Sequence, residues 1–212
     1  NMEHRQFYKM NMYEPTARVP LIISGMGACR GAVRGELVSL IDIFPTLMDM
    51  AEIEIPANKD GVSLLPELMG HKSRRPDYVF CEYHDTSVNT GSFMVRRGEW
   101  KYIAYPGYQP MLFNLTDYPW EICNLSKSQP EKAAEMDDLL MRITDYHVVD
   151  AKVEAYDKKA FAEWRRQQLE ANTYYDSMAR TFSGWDDLAP ENIKPWTQED
   201  ERAIVTWIQS KN

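Results

Sequence analysis

Residues 78–114 have the sequence YVFCEYHDTSVNTGSFMVRRGEWKYIAYPGYQPMLFN, and this stretch decides how the middle of the chain folds. It contains short apolar and aromatic runs separated by Gly, Asn and Pro residues, which is the pattern of β-strands joined by turns. The runs are Tyr78–Tyr83, Ser92–Arg96, Lys101–Tyr105 and Met111–Asn114. The segment Arg97-Gly98-Glu99 is short enough for a tight hairpin between the second run and the third. The stretch therefore predicts an antiparallel meander.

Helices are predicted on the carboxyl side of the meander. Glu131–Tyr146 has apolar residues at helical spacing, and from Ala151 the chain becomes helical and aromatic. One stripe of that second helix consists of Val153, Tyr156, Ala160 and Trp164, and we expect it to pack against another element. The segment Thr197–Asp200 has the pattern of a capping box and predicts the start of a last helix.

On the amino side, a strand and a helix are predicted. Val19–Ser24 has the pattern of a short buried strand. Leu40–Ala51 has the stripe of an amphipathic helix that begins near Asp42, because Pro45 is tolerated only in a first turn. Both elements need a sheet to pack on that the rest of this sequence does not supply, so we expect their apolar faces to be partly bare.

The composition is that of a folded globular protein. The chain has 212 residues, with 24 Lys and Arg against 32 Asp and Glu, and a formal net charge of −8. This balance argues against nucleic acid as a partner, because phosphate binding needs a basic face. The sequence has no apolar run long enough for a membrane span, and its three widely spaced cysteines exclude a disulfide framework.

Few residues indicate chemistry from their pattern alone. His4 and Lys9 fall in one predicted loop, where converging cations suit an anionic ester whose non-bridging oxygens gain charge as the leaving bond breaks. On composition alone, solvated loop charges are the favoured alternative. His84 follows the first meander strand, where a strand end can offer a substrate contact, although a surface histidine is the commoner case. No metal-ligand spacing is present.

Three ordered segments carry a family resemblance. The run Tyr13–Ile23 is similar to the "YE…RVPLII" segment of the sulfatases in the alkaline phosphatase superfamily. Ser39–Ala51 followed by Asp60–Pro66 resembles their "S-x-x-D-x-x-P-T-x-x-D-x-A … D-G-x-S-L-x-P" stretch. Asp117–Leu125 is similar to "D-P-x-E-x-x-N-L" with one residue inserted. The opening Met2–Met10 and the aromatic tail resemble the glucuronate-2-sulfatase branch in particular.

The resemblance implies an α/β fold. It predicts the C-terminal part of an alkaline-phosphatase-like sulfatase sandwich, followed by a small antiparallel-sheet subdomain with packed helices. In this chain we expect residues 1–75 to end the catalytic α/β domain, residues 76–150 to form the sheet subdomain with its helix, and residues 151–212 to form a helical aromatic tail.

The resemblance also implies an activity and its parts. Such enzymes hydrolyse sulfate esters with a formylglycine nucleophile and one divalent metal, usually calcium; the substrate is a sulfated carbohydrate or an aryl sulfate, and the compartment is secreted, periplasmic or lysosomal. Lys9 matches the family's sulfate-contacting lysine, and His4 matches the histidine of the same loop. Glu14 and Arg18 match positions expected to fix that loop by an ion pair or a backbone anchor. His84 lies where the sheet subdomain can border the cleft.

Two parts of the family's machinery have no match in this sequence. Its C/S-x-P-S-R nucleophile motif is absent, since Cys29-Arg30-Gly31 and Cys81-Glu82-Tyr83 differ from it. Its metal-binding aspartates are absent too, so we expect this chain to be the C-terminal portion of a longer protein and to show no turnover alone. Two alternatives stay open: a phosphonate or phosphate-ester hydrolase of the same superfamily, and a non-catalytic module for glycan binding or homo-oligomer contact.

Overall fold

The computed structural model describes residue 4 and residues 10–25, 27–84, 89–182 and 195–210 of the chain. Contacts divide the molecule into two compact units, Asn1–Tyr146 and His147–Asn212. The predicted division of the first unit near residue 75 stays a prediction.

The meander is present as predicted. In the described part of the chain, four strands form an antiparallel sheet in the order β1-β2-β3-β4. Their bounds are β1 Tyr78–Tyr83, β2 Ser92–Arg97, β3 Trp100–Ala104 and β4 Met111–Asn114. Each lies within one residue of the predicted run. The register places Val95 opposite Tyr102, and Tyr102 opposite Leu112, so these residues share one face of the sheet.

Both faces of the sheet are covered. Helix α4, Pro130–Ile143, packs against β2 and β3 and buries Met136, Leu139 and Leu140. The opposite face carries a core cluster of Met12, Met94, Ile103 and Phe113. The segment around Met12 is therefore fastened to the sheet by apolar contact, although it lies far from the strands in sequence.

Short helices occupy the amino half of this unit. Helix α1 spans Glu14–Ala17, a 3₁₀ turn spans Leu40–Asp42, and helices α2 and α3 span Ile43–Met50 and Leu65–Leu68. Pro45 is the third residue of α2, as its position in a first turn requires. Ser39 and Asp42 form a capping box at the start of the 3₁₀ turn.

The predicted strand at Val19–Ser24 is wrong, because these residues have no regular structure. A strand needs a neighbouring strand for its backbone hydrogen bonds, and the sheet in the described ranges pairs only β1 to β4. The expectation of bare apolar faces is confirmed. Ile22 is 90% exposed, and Leu40 and Leu47 are 59% and 60% exposed.

The second unit is helical. Its elements are α5, which spans Tyr146–Glu170 and begins at the boundary, then α6, Tyr174–Phe182, and α7, Gln198–Gln209. The predicted capping box at Thr197 and Asp200 is present. The predicted stripe of α5 is partly wrong, because Tyr156 is 71% exposed while the Phe161 ring contacts Trp164 in a tilted arrangement and Trp207 edge-on. In the described ranges, none of the helices is both long and apolar enough to cross a membrane.

Candidate functional site

Of the two residues predicted for the sulfate-binding loop, Lys9 and His4, the structure describes His4. Lys9 lies outside the described residues, so its place in a site stays a prediction. His4 is described: its backbone is left-handed, with φ of 55°, and its ring stacks flat on Tyr13 with centroids 3.8 Å apart. A left-handed backbone at a residue other than glycine is strained and is held by its surroundings.

Residues 12–14 connect this histidine to the sheet. Met12 is 3% exposed and belongs to the core cluster on the sheet. The Tyr13 ring lies 5.9 Å from that of Phe113, and its hydroxyl donates to Met111 Sδ at 3.5 Å. Burial, followed by the charge of Glu121, raises the pKa of Tyr13 above its usual value, so this phenol stays neutral at physiological pH.

The side chain of Glu14 belongs to a partly buried group of charges, which we call the ion cluster: Glu14, Arg96, Lys101 and Glu121. The Glu14 carboxylate accepts hydrogen bonds from Lys101 Nζ and from Arg96 Nη1, both at 3.1 Å. Lys101 Nζ also lies 2.8 Å from Glu121 Oε1, as an ion pair. The other Glu121 oxygen accepts from the backbone N–H of Glu14 at 2.6 Å. The internal ion pair predicted for Glu14 is therefore present, whereas Arg18 is exposed and its backbone N–H closes α1.

Sequence reasoning missed Lys101 and Glu121, and one signal pointed to the lysine. Lys101 and Ile103 are two residues apart on β3, so both side chains lie on the same face of the sheet. That face carries the core cluster. A lysine on a buried face needs a carboxylate partner, because the interior does not hold an unpaired charge. The partner is not readable from β3, since Glu14 and Glu121 lie in distant segments.

The His84 side chain is largely buried against its neighbours. Its ring meets Phe93 edge-on at 4.9 Å, and its side chain is 15% exposed. Nε2 lies 4.0 Å from Glu82 Oε2, and within the described part of the chain neither ring nitrogen has a hydrogen-bond partner. Gly91 presses against the ring, since a Cβ there would lie 2.5 Å from His84 Cε1. Substrate contact by His84 stays a prediction.

The second resemblance segment is an anchor for helix α2. Asp42 Oδ1 accepts from the backbone N–H of Val62 at 2.8 Å, and its Oδ2 accepts from Arg75 Nη2 at 2.6 Å. Thr46 Oγ1 donates to the Asp42 carbonyl and accepts from the N–H of Leu64 at 2.8 Å. These polar side chains link two chain segments, and their hydrogen bonds are made within the anchor. This arrangement indicates a structural function.

An open groove of about 620 Å³ lies beside the hairpin of β2 and β3 and the first turn of α4. It is lined by Glu36, Leu37, Arg75, Pro76, Asp77, Arg97, Gly98, Glu99, Trp100, Lys132 and Glu135. Its cations are each paired: Arg75 with Asp42, Arg97 with Asp77 at 2.7 Å, and Lys132 with Glu135. The groove therefore does not present unpaired positive charge to an anion.

The fit of a divalent metal depends on clusters of ligating side chains. Across the described ranges, no group of three or more His, Cys, Asp or Glu side chains is placed to hold a metal ion. A divalent cation therefore does not fit the described part of this chain.

Comparisons with known proteins agree on one family. Residues 2–148 match the family model described as N-sulphoglucosamine sulphohydrolase, C-terminal. The chain is 41% identical over 219 residues to arylsulfatase K of Homo sapiens, an alignment that covers 99% of this chain and 39% of that protein. It is 36% identical over 220 residues to arylsulfatase K of Xenopus laevis, covering 99% of this chain and 40% of that protein.

A solved structure shows the fold. The phosphonate monoester hydrolase of Silicibacter pomeroyi superposes with a TM-score of 0.60 at 24% identity, covering 66% of this chain and 31% of that one. This chain spans about two fifths of the length of the arylsulfatase K proteins that it matches.

Proposed function

Since the chain belongs to the sulfatase family whose C-terminal model matches it, we propose that it is the carboxyl-terminal part of an enzyme that hydrolyses sulfate esters. The observation that carries this proposal is the likeness to arylsulfatase K, which extends over 99% of the chain at 41% identity in the human protein. The substrate we propose is a sulfated sugar, with glucuronate 2-sulfate as the leading case, or an aryl sulfate.

Lys9 is the residue of this chain to which we assign direct contact with the ester. Its ammonium would donate hydrogen bonds to the non-bridging sulfate oxygens and so stabilise the negative charge that they carry in the transition state. We assign His4 to the same loop, and the stack of His4 on Tyr13 supports a fixed position for its ring. His84 is a weaker candidate for contact with the rest of the substrate.

The reaction's other parts belong, in this proposal, to the portion of the enzyme that this chain does not span. Family membership implies a metal cofactor, and we propose that it is Ca²⁺. The described residues of this chain do not fit such an ion. We assign the formylglycine nucleophile to that other portion as well, because the sequence here lacks its motif. We expect no turnover by this chain alone.

Exposed apolar side chains support a larger protein. Leu40, Phe44 and Leu47 lie on or beside α2 and are 59%, 45% and 60% exposed, and Ile22 is 90% exposed. Large apolar side chains left bare in this way mark a surface that another part of a protein covers. We propose that it packs against the portion of the sulfatase that this chain does not span.

The test of Lys9 uses the full-length enzyme that contains this chain. Lys9→Ala should lower kcat/KM for a sulfate ester by roughly 10²-fold or more, because the developing charge loses a donor. Lys127→Ala, at an exposed lysine near the start of α4, is the matched control and should leave kcat/KM unchanged. An unchanged value in Lys9→Ala would remove Lys9 from the site.

The reaction class is tested on the same enzyme with sulfate, phosphate and phosphonate monoesters that share one leaving group. We expect the sulfate ester to have the highest kcat/KM. Preferred turnover of the phosphonate or phosphate ester would replace the sulfatase proposal by its relative in the superfamily. Glycan binding without turnover of any ester would favour the non-catalytic module.

A further inference from the structure

Glu121 is buried where its neighbours are not. Its exposed fraction is 3%, whereas Trp120 and Ile122 on either side are 71% and 79% exposed. The hydrophobic effect alone would favour the reverse arrangement. The backbone at Glu121 is also left-handed, with φ of 51°. Specific partners therefore hold this carboxylate inward against both solvation and backbone preference.

The partners balance each other in charge. Lys101 is fully buried, and it lies between the Glu121 and Glu14 carboxylates, while Arg96 binds the second Glu14 oxygen. Two cations face two carboxylates, so the ion cluster is neutral. Both cations already pair with carboxylates of the cluster, which favours holding the attached chain segment over binding a sulfate.

The segment that the cluster holds leads to His4. Glu121 accepts from the backbone N–H of Glu14, and the Glu14 side chain is bound by Lys101. The ring of the preceding residue, Tyr13, stacks on the His4 ring with centroids 3.8 Å apart. Charged side chains from β2, β3 and the loop after β4 therefore bind Glu14. Glu14 is adjacent in sequence to Tyr13, on which the His4 ring stacks.

We propose that the ion cluster is a positioning device for His4: through Glu14 and Tyr13 it fixes the imidazole in the place where the sulfate ester is held. The role of His4 toward the ester rests on the proposed function. The mechanical link, by which we mean the chain of contacts from Glu121 through Glu14 and Tyr13 to His4, is independent of that function. Glu121 and Lys101 are positioning residues, since they act through Tyr13 and do not touch the substrate.

The link is tested by NMR on the chain with Glu121→Gln, which removes the charge and keeps an oxygen for the Glu14 N–H. Stacking on Tyr13 should shift the His4 ring protons upfield, with the signal assigned by its loss in His4→Gln. In Glu121→Gln we expect this signal to move toward its position in an unfolded peptide. Glu135→Gln, which breaks the exposed pair with Lys132, is the matched control and should leave it in place.

A milder variant guards against loss of folding. Arg96→Gln removes the more exposed cation of the cluster, at 24% exposure, and leaves Lys101 bound to both carboxylates. It should move the His4 signal in the same direction by a smaller amount. An unmoved His4 signal in folded Glu121→Gln or in Arg96→Gln would overturn the proposal.

The consequence for catalysis is measured in the full-length enzyme. Glu121→Gln should lower kcat/KM about tenfold, and adding His4→Gln should cost less than it does in the wild type, because both changes remove the same positioned ring. Effects that simply multiply would contradict the link. An inactive wild-type enzyme would refute the proposed function while the NMR result still decides the mechanical link.

Discussion

At the scale of single residues, Gly61 shows how a close backbone approach selects a residue type. Its φ is +91°, and a Cβ at this position would lie 2.5 Å from the carbonyl oxygen of Ile41. This approach lets the following residue, Val62, donate to Asp42. The glycine of the Asp60-Gly61 pair in the resemblance segment is therefore explained by the packing of the α2 anchor.

Gly61→Ala should destabilise the chain more than Gly107→Ala does. Both glycines have positive φ, but a Cβ at Gly107 would meet nothing within 4 Å. Both variants lose about 1 kcal/mol through the left-handed backbone, and Gly61→Ala should lose about 1–3 kcal/mol more through the clash. Urea unfolding measures the difference; equal losses would mean that the Ile41 backbone moves away freely.

Lys101 is the residue whose loss should be felt most. In Lys101→Met the Glu121 carboxylate stays buried without its cation, which should lower the free energy of unfolding by about 3–5 kcal/mol. Lys132→Met removes the partner of the exposed Glu135 and should cost less than about 1 kcal/mol. Thermal and urea unfolding of the two variants would test this contrast, and similar losses would mean that burial of the ion cluster contributes little.

At the scale of elements, Asp137 of α4 binds the hydroxyls of two tyrosines of the first unit. Its Oδ1 accepts from the hydroxyl of Tyr102 on β3 at 3.0 Å and from that of Tyr146 at the start of α5 at 2.8 Å. Burial, then Asp137, raises the pKa of Tyr102 well above its usual value. Burial, reinforced by the hydrogen bond to Asp137, raises the pKa of Tyr146 to about 12.

This junction predicts loss of stability at high pH. The folded chain keeps both phenolic protons above the unfolded pKa of about 10, so it binds more protons than the unfolded chain does. These two groups therefore give the free energy of unfolding no pH dependence below about pH 10. Above it, the free energy of unfolding falls as the pH rises toward 12. Tyr146→Phe should flatten this fall, measured as Tm against pH, while Tyr156→Phe at an exposed position should not; an unaltered slope in Tyr146→Phe would refute the linkage.

Element positions were largely predictable, because periodicity is local. The alternation in residues 78–114 predicted each strand to within one residue, and the Thr197 capping pattern predicted the start of α7. The failure at Val19–Ser24 has a physical reason: a strand is defined by a neighbour, and an apolar run does not say whether the chain provides one. Tyr156 failed similarly, since an apolar stripe does not identify what covers it.

At the scale of the whole molecule, large apolar side chains on α2 and in the segment at Ile22 are left exposed. Ile22, Phe44 and Leu47 are exposed although each is a residue that interiors favour. The ion cluster and the α2 anchor, by contrast, consist of polar side chains that bind one another. The first unit thus combines paired charges in its interior with apolar side chains left bare at its surface.

The double variant Ile22→Lys/Leu47→Lys should reduce self-association of the isolated chain. Because both side chains are largely exposed, the free energy of unfolding should change by less than about 0.5 kcal/mol per site. Light scattering against concentration measures the effect, with the buried Leu140→Lys as a control that should unfold the chain. In the full-length enzyme the same double variant should lower the folded yield; equal scattering by variant and wild type would contradict an adhesive surface.

By itself the sequence determined the local elements, the sulfatase likeness and the candidate residues Lys9 and His4, because periodicity, capping and motif spacing are written in neighbouring residues. Only the tertiary structure decided that Glu14, Arg96, Lys101 and Glu121 form one neutral cluster. Each of these charges occurs in a different segment, and a buried charge is stable only beside an opposite one. Which charges meet depends on the folding of distant segments against one sheet, and no single stretch of the chain records it.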